Sequence, residues 1–266
     1  GQFSVEGRGD LNLRLFGDTV RLDVNAFIKN QNPVFYFRHF QSKHYWWDNN
    51  DLSKIMRTRL EGKLSLNRWG TQLRAGVENI KNYTYLANAS IPVKDSEGNV
   101  TGSKNNAAVR QYSGNIQIFT AMLQQKLKVG IFHLDGEVAY QKSSEQDILP
   151  LPELSAYGNL YMKFGLAKKV LQIEMGADVR YFSKYYAPDY SPVIGQFYNQ
   201  NPDDKIEIGA FPIVNVYANL HLKRTRFFIM MYHVNAGSGK SNYFLAPHYP
   251  INPRMIKFGL SWNFFD

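Results

Sequence analysis

The sequence contains no cysteine and no long apolar run, and each absence removes a class of structure. Without cysteine, a disulfide framework and a thiolate metal site are both excluded. The longest uninterrupted apolar run is Phe227 to Tyr232, far short of the roughly 20 residues that a transmembrane helix requires. Helical membrane spans are therefore excluded. Membrane β-barrels are not, because their strands present an apolar residue only at alternate positions.

The sequence also lacks an initiating methionine, a signal peptide and a concentrated basic patch. Residue 1 is Gly, so we expect the 266 residues to be a processed product or the C-terminal part of a longer chain. The net charge is +9, but Lys and Arg are spread along the chain rather than gathered in one run. This distribution is typical of a solvated face, and no nucleic-acid partner is predicted.

Aromatic residues are abundant, at 15% of the chain, and favour strands. The clearest strand is the last segment, Met255 to Asp266. One face of this strand carries Ile256, Phe258, Leu260, Trp262 and Phe264. The intervening positions carry Lys, Gly, Ser and Asn, so the strand has one apolar and one polar face. An amphipathic strand with terminal aromatics is typical of the closing strand of a transmembrane β-barrel, and we predict that its apolar face contacts lipid.

The same alternation recurs along the chain and predicts about eleven strands. Their predicted ranges are 2–16, 19–29, 53–66, 71–86, 109–125, from the turn near Lys128 to about Lys142, 154–166, 170–182, 206–222, 226–235 and 255–266. The connections alternate strictly between short and long. This alternation indicates an all-β, antiparallel, up-and-down outer-membrane barrel with short periplasmic turns and long outer loops. A soluble β-sandwich shares the apolar alternation and is the competing interpretation.

The strand count bears on domain organisation. Single-chain bacterial barrels have an even number of strands, whereas eleven are predicted here. We expect residues 1–266 to be one barrel domain that forms the C-terminal portion of a larger barrel. The alternative is a twelfth strand hidden in the aromatic segment 30–51.

Three motifs carry a resemblance to a known family. They are the YYAPDYSPVIGQFYNQ loop at 185–200, the KRTR turn at 223–226, and the segment that begins NYFLAPHYP at 242–250 and ends in FGLSW at 258–262. Together they resemble the C-terminal third of the putative-porin family of Bacteroidetes outer membranes. The resemblance implies an outer-membrane barrel within a chain longer than this one. It implies a barrel more firmly than it implies any particular solute.

The polar faces of the strands predict the residues that line the lumen. These are Arg8, Arg14, Arg21, Arg57, Arg59, Lys63, Arg74, Glu61, Glu78, His133, Asp135, Glu137, Glu174, Asp178 and Arg180. One interpretation is a basic wall that favours anionic solutes, because rings of charged side chains set selectivity. The other is an interlocked charge ladder that fills a narrow or plugged barrel.

One trio on this face could carry further chemistry. His133, Asp135 and Glu137 lie at alternate positions of one strand and could present three metal ligands. Lumen polarity alone explains the spacing, so no metal site and no cofactor are predicted. No nucleophile elbow or spaced triad is present, so no catalytic residues are predicted.

The leading functional hypothesis is a porin or channel for passive diffusion of ions or small polar solutes. A structural or partner-binding barrel with a closed lumen is the first alternative, and a barrel-borne hydrolase is the second. The predicted surroundings are outer-membrane lipid and lipopolysaccharide, and the aromatic loops could contact other outer-membrane components. The sequence leaves the oligomeric state open.

Overall fold

A single antiparallel sheet of eleven strands dominates the computed structural model, which describes residues 1–15, 17–104, 107–239 and 242–264. Each strand pairs with the next one along the chain, so the topology is purely up-and-down. The strands are β1 Phe3–Leu15, β2 Asp18–Gln31, β3 Ile55–Leu66, β4 Thr71–Asn88, β5 Ala107–Val129, β6 Phe132–Ser143, β7 Leu154–Leu166, β8 Leu171–Phe182, β9 Ile213–Leu222, β10 Thr225–Tyr232 and β11 Met255–Trp262. The predicted number of strands is confirmed.

The register places the apolar positions of neighbouring strands side by side. Leu22 of β2, for example, lies opposite Leu11 of β1 and Leu64 of β3. The resulting apolar band faces outward: Leu160 in the centre of β7 is 59% exposed and Phe258 in β11 is 81% exposed. A continuous exposed apolar band is unfavourable in water but matches the hydrocarbon-facing surface of a membrane barrel.

Short and long connections alternate, as predicted. The short connections are the one between β1 and β2 and those at 67–70, 130–131, 167–170 and 223–224, and the turn at 67–70 contains the 3₁₀ helix Asn67–Trp69. We name the long connections L1 (32–54), L2 (89–106), L3 (144–153), L4 (183–212) and L5 (233–254). By the rule for such barrels, the long loops lie outside the cell. None of the helices in the described residues has the length and apolarity to cross a membrane.

The long loops contain secondary structure of their own, outside the main sheet. L1 holds the one-turn helix Phe35–Arg38. Four of the loops hold a short hairpin each: His39–Gln41 with Trp46–Asp48 in L1, Ile91–Lys94 with Val100–Lys104 in L2, Asp189–Ser191 with Gln196–Tyr198 in L4, and Phe244–Ala246 with Tyr249–Pro250 in L5. L1 therefore supplies no strand to the main sheet, and the alternative of a twelfth strand within 30–51 is wrong.

The turn between β3 and β4 shows why one glycine is required. Gly70 has a left-handed φ of 63°. A Cβ atom there would lie 2.3 Å from the carbonyl oxygen of Lys126, and the Gly70 carbonyl itself accepts a hydrogen bond from the Lys126 N–H at 2.8 Å. The turn is thereby fastened to β5, and no larger residue fits without displacing that strand.

Several predicted boundaries are corrected. The turn placed near Lys128 lies at 130–131, and the polar segment 94–106 contributes to a hairpin rather than to loop alone. β9 begins at Ile213 instead of residue 206, directly after Pro212, because proline cannot donate a ladder hydrogen bond. β10 ends at Tyr232 instead of residue 235. β11 ends at Trp262 instead of residue 266, so Phe264 lies beyond the strand. Residues 16 and 265–266 of the predicted strands, and the loop positions 105–106, lie outside the described residues.

The predicted faces of β5 are inverted. In the sequence, Tyr112, Ile116, Ile118 and Met122 alternate with Gln111, Ser113, Asn115 and Gln117, which predicts the first four residues on the apolar outer face. Instead Ile118 lies opposite Glu78 and Met122 lies opposite Arg74, on the polar face. The outer face is carried by Phe119, Leu123 and Leu127, which are exposed. Apolar residues occupy both odd-numbered and even-numbered positions of this strand, so its periodicity alone could not identify the outward face.

Candidate transport lumen and loop cap

The polar face of β1–β4 is a ladder of paired charges. Arg8 Nη2 lies 2.7 Å from Glu6 Oε1. Asp23 accepts from Arg21 Nε at 2.7 Å and has Lys63 Nζ at 3.2 Å, so one carboxylate joins two basic side chains. Arg8–Glu6 and Arg21–Asp23 lie at alternate positions of one strand, so they share a face, whereas the register places Asp23 directly opposite Lys63.

The ladder continues across β3 and β4. The Arg57 guanidinium donates to Glu78 through Nε at 2.7 Å. Glu61 lies between Arg59, which donates to it, and Arg74, whose Nε is 4.0 Å away. The structure thus brings together the predicted residues Arg8, Arg21, Arg57, Arg59, Lys63, Arg74, Glu61 and Glu78. Arg14 lies nearer the turn between β1 and β2, opposite Thr19.

These charges remain partly open to solvent. The Arg8 side chain is 77% exposed, and about half of each of the Arg21 and Arg57 side chains is exposed. Exposed ion pairs contribute little to stability, typically about 0–1 kcal/mol each. Their main physical effect is therefore on the electric field along this face. Basic side chains outnumber acidic ones here, so the field is weakly positive.

The polar face of β7–β9 is built differently, from amides and tyrosines. The Tyr217 hydroxyl donates to Asn159 Oδ1 at 3.0 Å. Glu174 accepts from Asn219 at 3.3 Å. The Arg180 guanidinium lies 5.8 Å from the centre of the Tyr157 ring, as in a cation–π contact. The predicted residues Glu174, Asp178 and Arg180 all lie on this face, in β8.

His133, Asp135 and Glu137 of β6 each contact different neighbours and do not form one site. The His133 ring stacks on Tyr161 at 4.9 Å, and Glu137 accepts a hydrogen bond from Gln124 at 2.6 Å. Asp135 lies opposite Asn159 in the register. Within the described residues, no three His, Cys, Asp or Glu side chains are close enough to hold a metal ion. These contacts give no support to a metal or hydrolytic site on β6.

A buried junction, which no sequence pattern predicted, fastens L5 to the sheet. Asn215 donates to Asp178 Oδ1 at 2.9 Å and accepts the His233 backbone N–H at 2.9 Å. His233 is fully buried with a left-handed φ of 52°, and its ring packs edge-on against Phe211 and Tyr243. A histidine is rarely held in this backbone conformation without support, and the junction supplies that support.

Two outer loops, L1 and L4, pack together above the sheet. Ile194 of L4 is buried with Leu86 and Ala107, and aromatic side chains of L1 surround this cluster. The Tyr36 hydroxyl donates to the Ile194 carbonyl at 2.9 Å, which ties the loops across more than 150 residues of sequence. The aromatic segment predicted as a structured loop is therefore the core of a loop–loop contact.

L4 also contacts the other loops. The Asn199 side chain donates to the Ile148 carbonyl of L3 at 2.8 Å. His248 of L5 lies 3.2 Å from Asp189, and the Tyr198 hydroxyl donates to the same carboxylate at 3.2 Å. Burial, together with the Asp189 charge, raises the pKa of Tyr198 to about 12, so the phenol stays protonated. We call the joined L1, L3, L4 and L5 the loop cap.

Solved structures share this fold. The ferric enterobactin receptor PfeA of Pseudomonas aeruginosa is 14% identical, with a TM-score of 0.62 over 96% of this chain and 40% of the receptor. The copper transporter OprC is 14% identical, with a TM-score of 0.63 over 97% of this chain and 39% of the transporter. The siderophore receptor PirA of Acinetobacter baumannii is 9% identical, with a TM-score of 0.61.

This chain therefore spans about 40% of the length of these neighbours. Identity this low shows the fold alone. No curated protein matches the sequence. The sequence model of the family described as Putative porin matches residues 1–266, well beyond the C-terminal third in which the family motifs were recognised. The chain belongs to the Putative porin family and has the fold of Gram-negative outer-membrane β-barrels.

Proposed function

We propose that the protein is a passive channel for ions or small polar solutes, with the predicted lumen residues on its inner wall. The observation that carries this proposal is the half-exposed charge ladder of β1–β4, on the face opposite the lipid-facing band. A solvated, charged wall gives a permeating solute a polar path across the bilayer. Because basic side chains are in excess but paired, we infer a weak preference for anions.

We also propose that the barrel contains further strands of the same polypeptide. Within the described residues, β1 and β11 are the two edges of the sheet, with no pairing between them. Each unpaired backbone group exposed to lipid costs several kcal/mol, so membrane sheets close. Additional strands in a longer chain would satisfy both edges. The 40% coverage of the structural neighbours and the resemblance to C-terminal segments of longer Bacteroidetes proteins support this arrangement.

A closed, partner-binding barrel is the second candidate, favoured by the loop cap. The hydrogen bonds from L4 to L1 and L3 hold the outer loops together rather than apart. A cap of this kind could restrict the outer mouth of a lumen. The conductance of the purified full-length protein separates the two candidates.

Reconstitution of the full-length protein into planar bilayers is expected to give stepwise conductance increments. The reason is that an open, charged lumen conducts ions whenever a barrel inserts. The measurement is single-channel current in potassium chloride, with a matched amount of detergent alone as the control. A bilayer that stays sealed at high protein load, with insertion verified, would refute the passive channel and favour the closed barrel.

Replacing Glu61 with glutamine is expected to shift the channel's selectivity toward anions. The change leaves Arg59 and Arg74 without their shared carboxylate. One unit charge acts on an ion 4 Å away with about 1 kcal/mol in water, attracting a cation and repelling an anion, so its removal changes the anion-to-cation permeability ratio by up to about thirtyfold. The reversal potential across a salt gradient measures it.

Glu153→Gln is the matched control for this experiment. Glu153 is also paired with a lysine, Lys142 at 3.9 Å, but it lies in L3 rather than on the β1–β4 wall. The Glu153→Gln variant is expected to have the same ion selectivity as the unmodified protein. Equal reversal potentials for all three proteins would show that the charge ladder does not line the permeation path.

A further inference from the structure

The loop cap encloses a cavity of about 640 Å³ that the channel proposal does not use. We call it the cap pocket. Its walls come from L4, from L1 and L5, and from the outer ends of β4 and β5. The residues that matter most for its chemistry are Tyr45, Asp189, Tyr190, Tyr198, His248 and Tyr249. A volume of this size is within the range of pockets that hold small organic ligands.

The acidic wall of the pocket is held in place before any ligand arrives. The Asp189 side chain is only 14% exposed. Its Oδ2 atom lies 3.2 Å from both the Tyr198 hydroxyl and His248 Nδ1, and its Oδ1 atom accepts the Tyr190 backbone N–H at 2.8 Å. A carboxylate with this many partners is oriented, and its remaining lone pairs can accept hydrogen bonds from hydroxyl groups.

The aromatic wall is a corner formed by two tyrosines. The rings of Tyr190 and Tyr249 have centroids 5.7 Å apart and stand at 81° to one another. The faces of the two rings therefore point in different directions, and both rings combine an apolar surface with a hydroxyl. Such a corner fits a molecule that has apolar C–H faces and polar edges.

The charge of the lining restricts the ligand further. The chain carries 31 Lys and Arg residues, yet none lines the cap pocket within the described part of the chain. Two carboxylates, those of Asp189 and Asp204, are present instead. Phosphates, carboxylates and other anions are therefore disfavoured, because nothing compensates their charge there. A compact quaternary ammonium would leave most of the volume unfilled.

We propose that the cap pocket binds a short neutral oligosaccharide. Its sugar rings would stack on Tyr190 and Tyr249, and Asp189 would accept hydrogen bonds from their hydroxyl groups. This proposal goes beyond passive diffusion and is independent of it, since binding to the cap needs no conduction. In this proposal, the outer loops bind a polar solute.

The test is isothermal titration calorimetry on the full-length protein in detergent, with three neutral trisaccharides: maltotriose, cellotriose and triacetylchitotriose. At least one is expected to bind, and choline and inorganic phosphate are expected not to bind. No binding of any trisaccharide at millimolar concentration would overturn the proposal, and so would binding of choline or phosphate in their place. Conductance measurements do not enter this test, so its failure is distinguishable from failure of the channel proposal.

Tyr249→Ala is expected to weaken the binding of that trisaccharide about tenfold, because one stacking face is lost. Tyr186→Ala is the matched control: Tyr186 lies in L4 with similar exposure, 48% against 43% for Tyr249, but does not line the pocket. Tyr249→Phe keeps the ring and is expected to retain binding within about twofold. An equal loss in the Tyr186 and Tyr249 alanine variants, with both folded, would place the ligand elsewhere and overturn the assignment.

Discussion

Replacing Leu160 with arginine is expected to lower the free energy of unfolding in a bilayer by about 2–4 kcal/mol. Leu160 is the central residue of β7, and its side chain projects outward between Leu134 and Ala177. A guanidinium at this position would have to lie in hydrocarbon, where no acceptor is available. Urea unfolding of the protein in lipid vesicles, followed by tryptophan fluorescence, measures the loss.

The neighbouring residue supplies the control. Asn159→Arg introduces the same side chain one position earlier, on the opposite face, where the register places it between Asp135 and Asp178. The variant loses the hydrogen bond from Tyr217, worth about 1 kcal/mol, and gains two carboxylate neighbours. Its stability is expected to stay within about 1 kcal/mol of the unmodified protein. Equal losses in the two variants would mean that the lipid-facing side of the sheet has been assigned wrongly.

The strands were predictable because the alternation of apolar and polar residues that identifies them is local in sequence and periodic. Strand β7 was predicted at its observed bounds, and β8 within one residue, since every second side chain must meet lipid. The same period identified which face of most strands is polar. Loop lengths then gave the direction of each strand, because only one end of an outer-membrane barrel carries long connections.

The prediction of the outward-facing side of a strand was wrong where the local sequence pattern does not match the environment of the side chains. On β5, inward-facing Ile116 is buried, so both faces of the strand carry apolar residues. Phe27 on β2 is a second apolar residue on the polar face. Lys29 Nζ lies 4.6 Å from the centre of its ring, and the Arg57 guanidinium 6.0 Å, so the ring serves as a cation–π platform within the charge ladder.

The loop cap was beyond prediction because its contacts join residues that are far apart in sequence. His248 meets Asp189 across 59 positions, and Tyr36 meets the Ile194 carbonyl across 158. No periodic signal links such positions. The sequence showed only that L1 is aromatic and that L4 is rich in tyrosine and proline. Composition of this kind indicates ordered loops, without identifying the partner of either loop.

The side-chain amide of Asn215 is expected to contribute more to the free energy of unfolding than any other amide discussed above. Asn215→Leu preserves the approximate volume but removes both hydrogen bonds of the junction, leaving the Asp178 carboxylate and the His233 N–H without their partner. Asn215 is 5% exposed and Asp178 8% exposed, so water does not readily replace the lost contacts. Leaving a buried carboxylate and a buried N–H without hydrogen-bond partners costs about 3–5 kcal/mol in total. We expect a loss of that size in vesicle unfolding, together with faster proteolysis within L5.

Asn219→Leu tests whether burial causes this effect. Asn219 lies four residues further along β9, on the same face, and also makes two side-chain hydrogen bonds, to Glu174 at 3.3 Å and from Arg226 at 2.8 Å. It is half-buried, so water can satisfy the groups it leaves behind, and the expected loss is about 1 kcal/mol. Similar losses for the two leucine variants would contradict the junction's role in holding L5. A large loss for Asn215→Leu alone, with L5 cleaved faster, would establish that one buried amide couples this loop to the barrel wall.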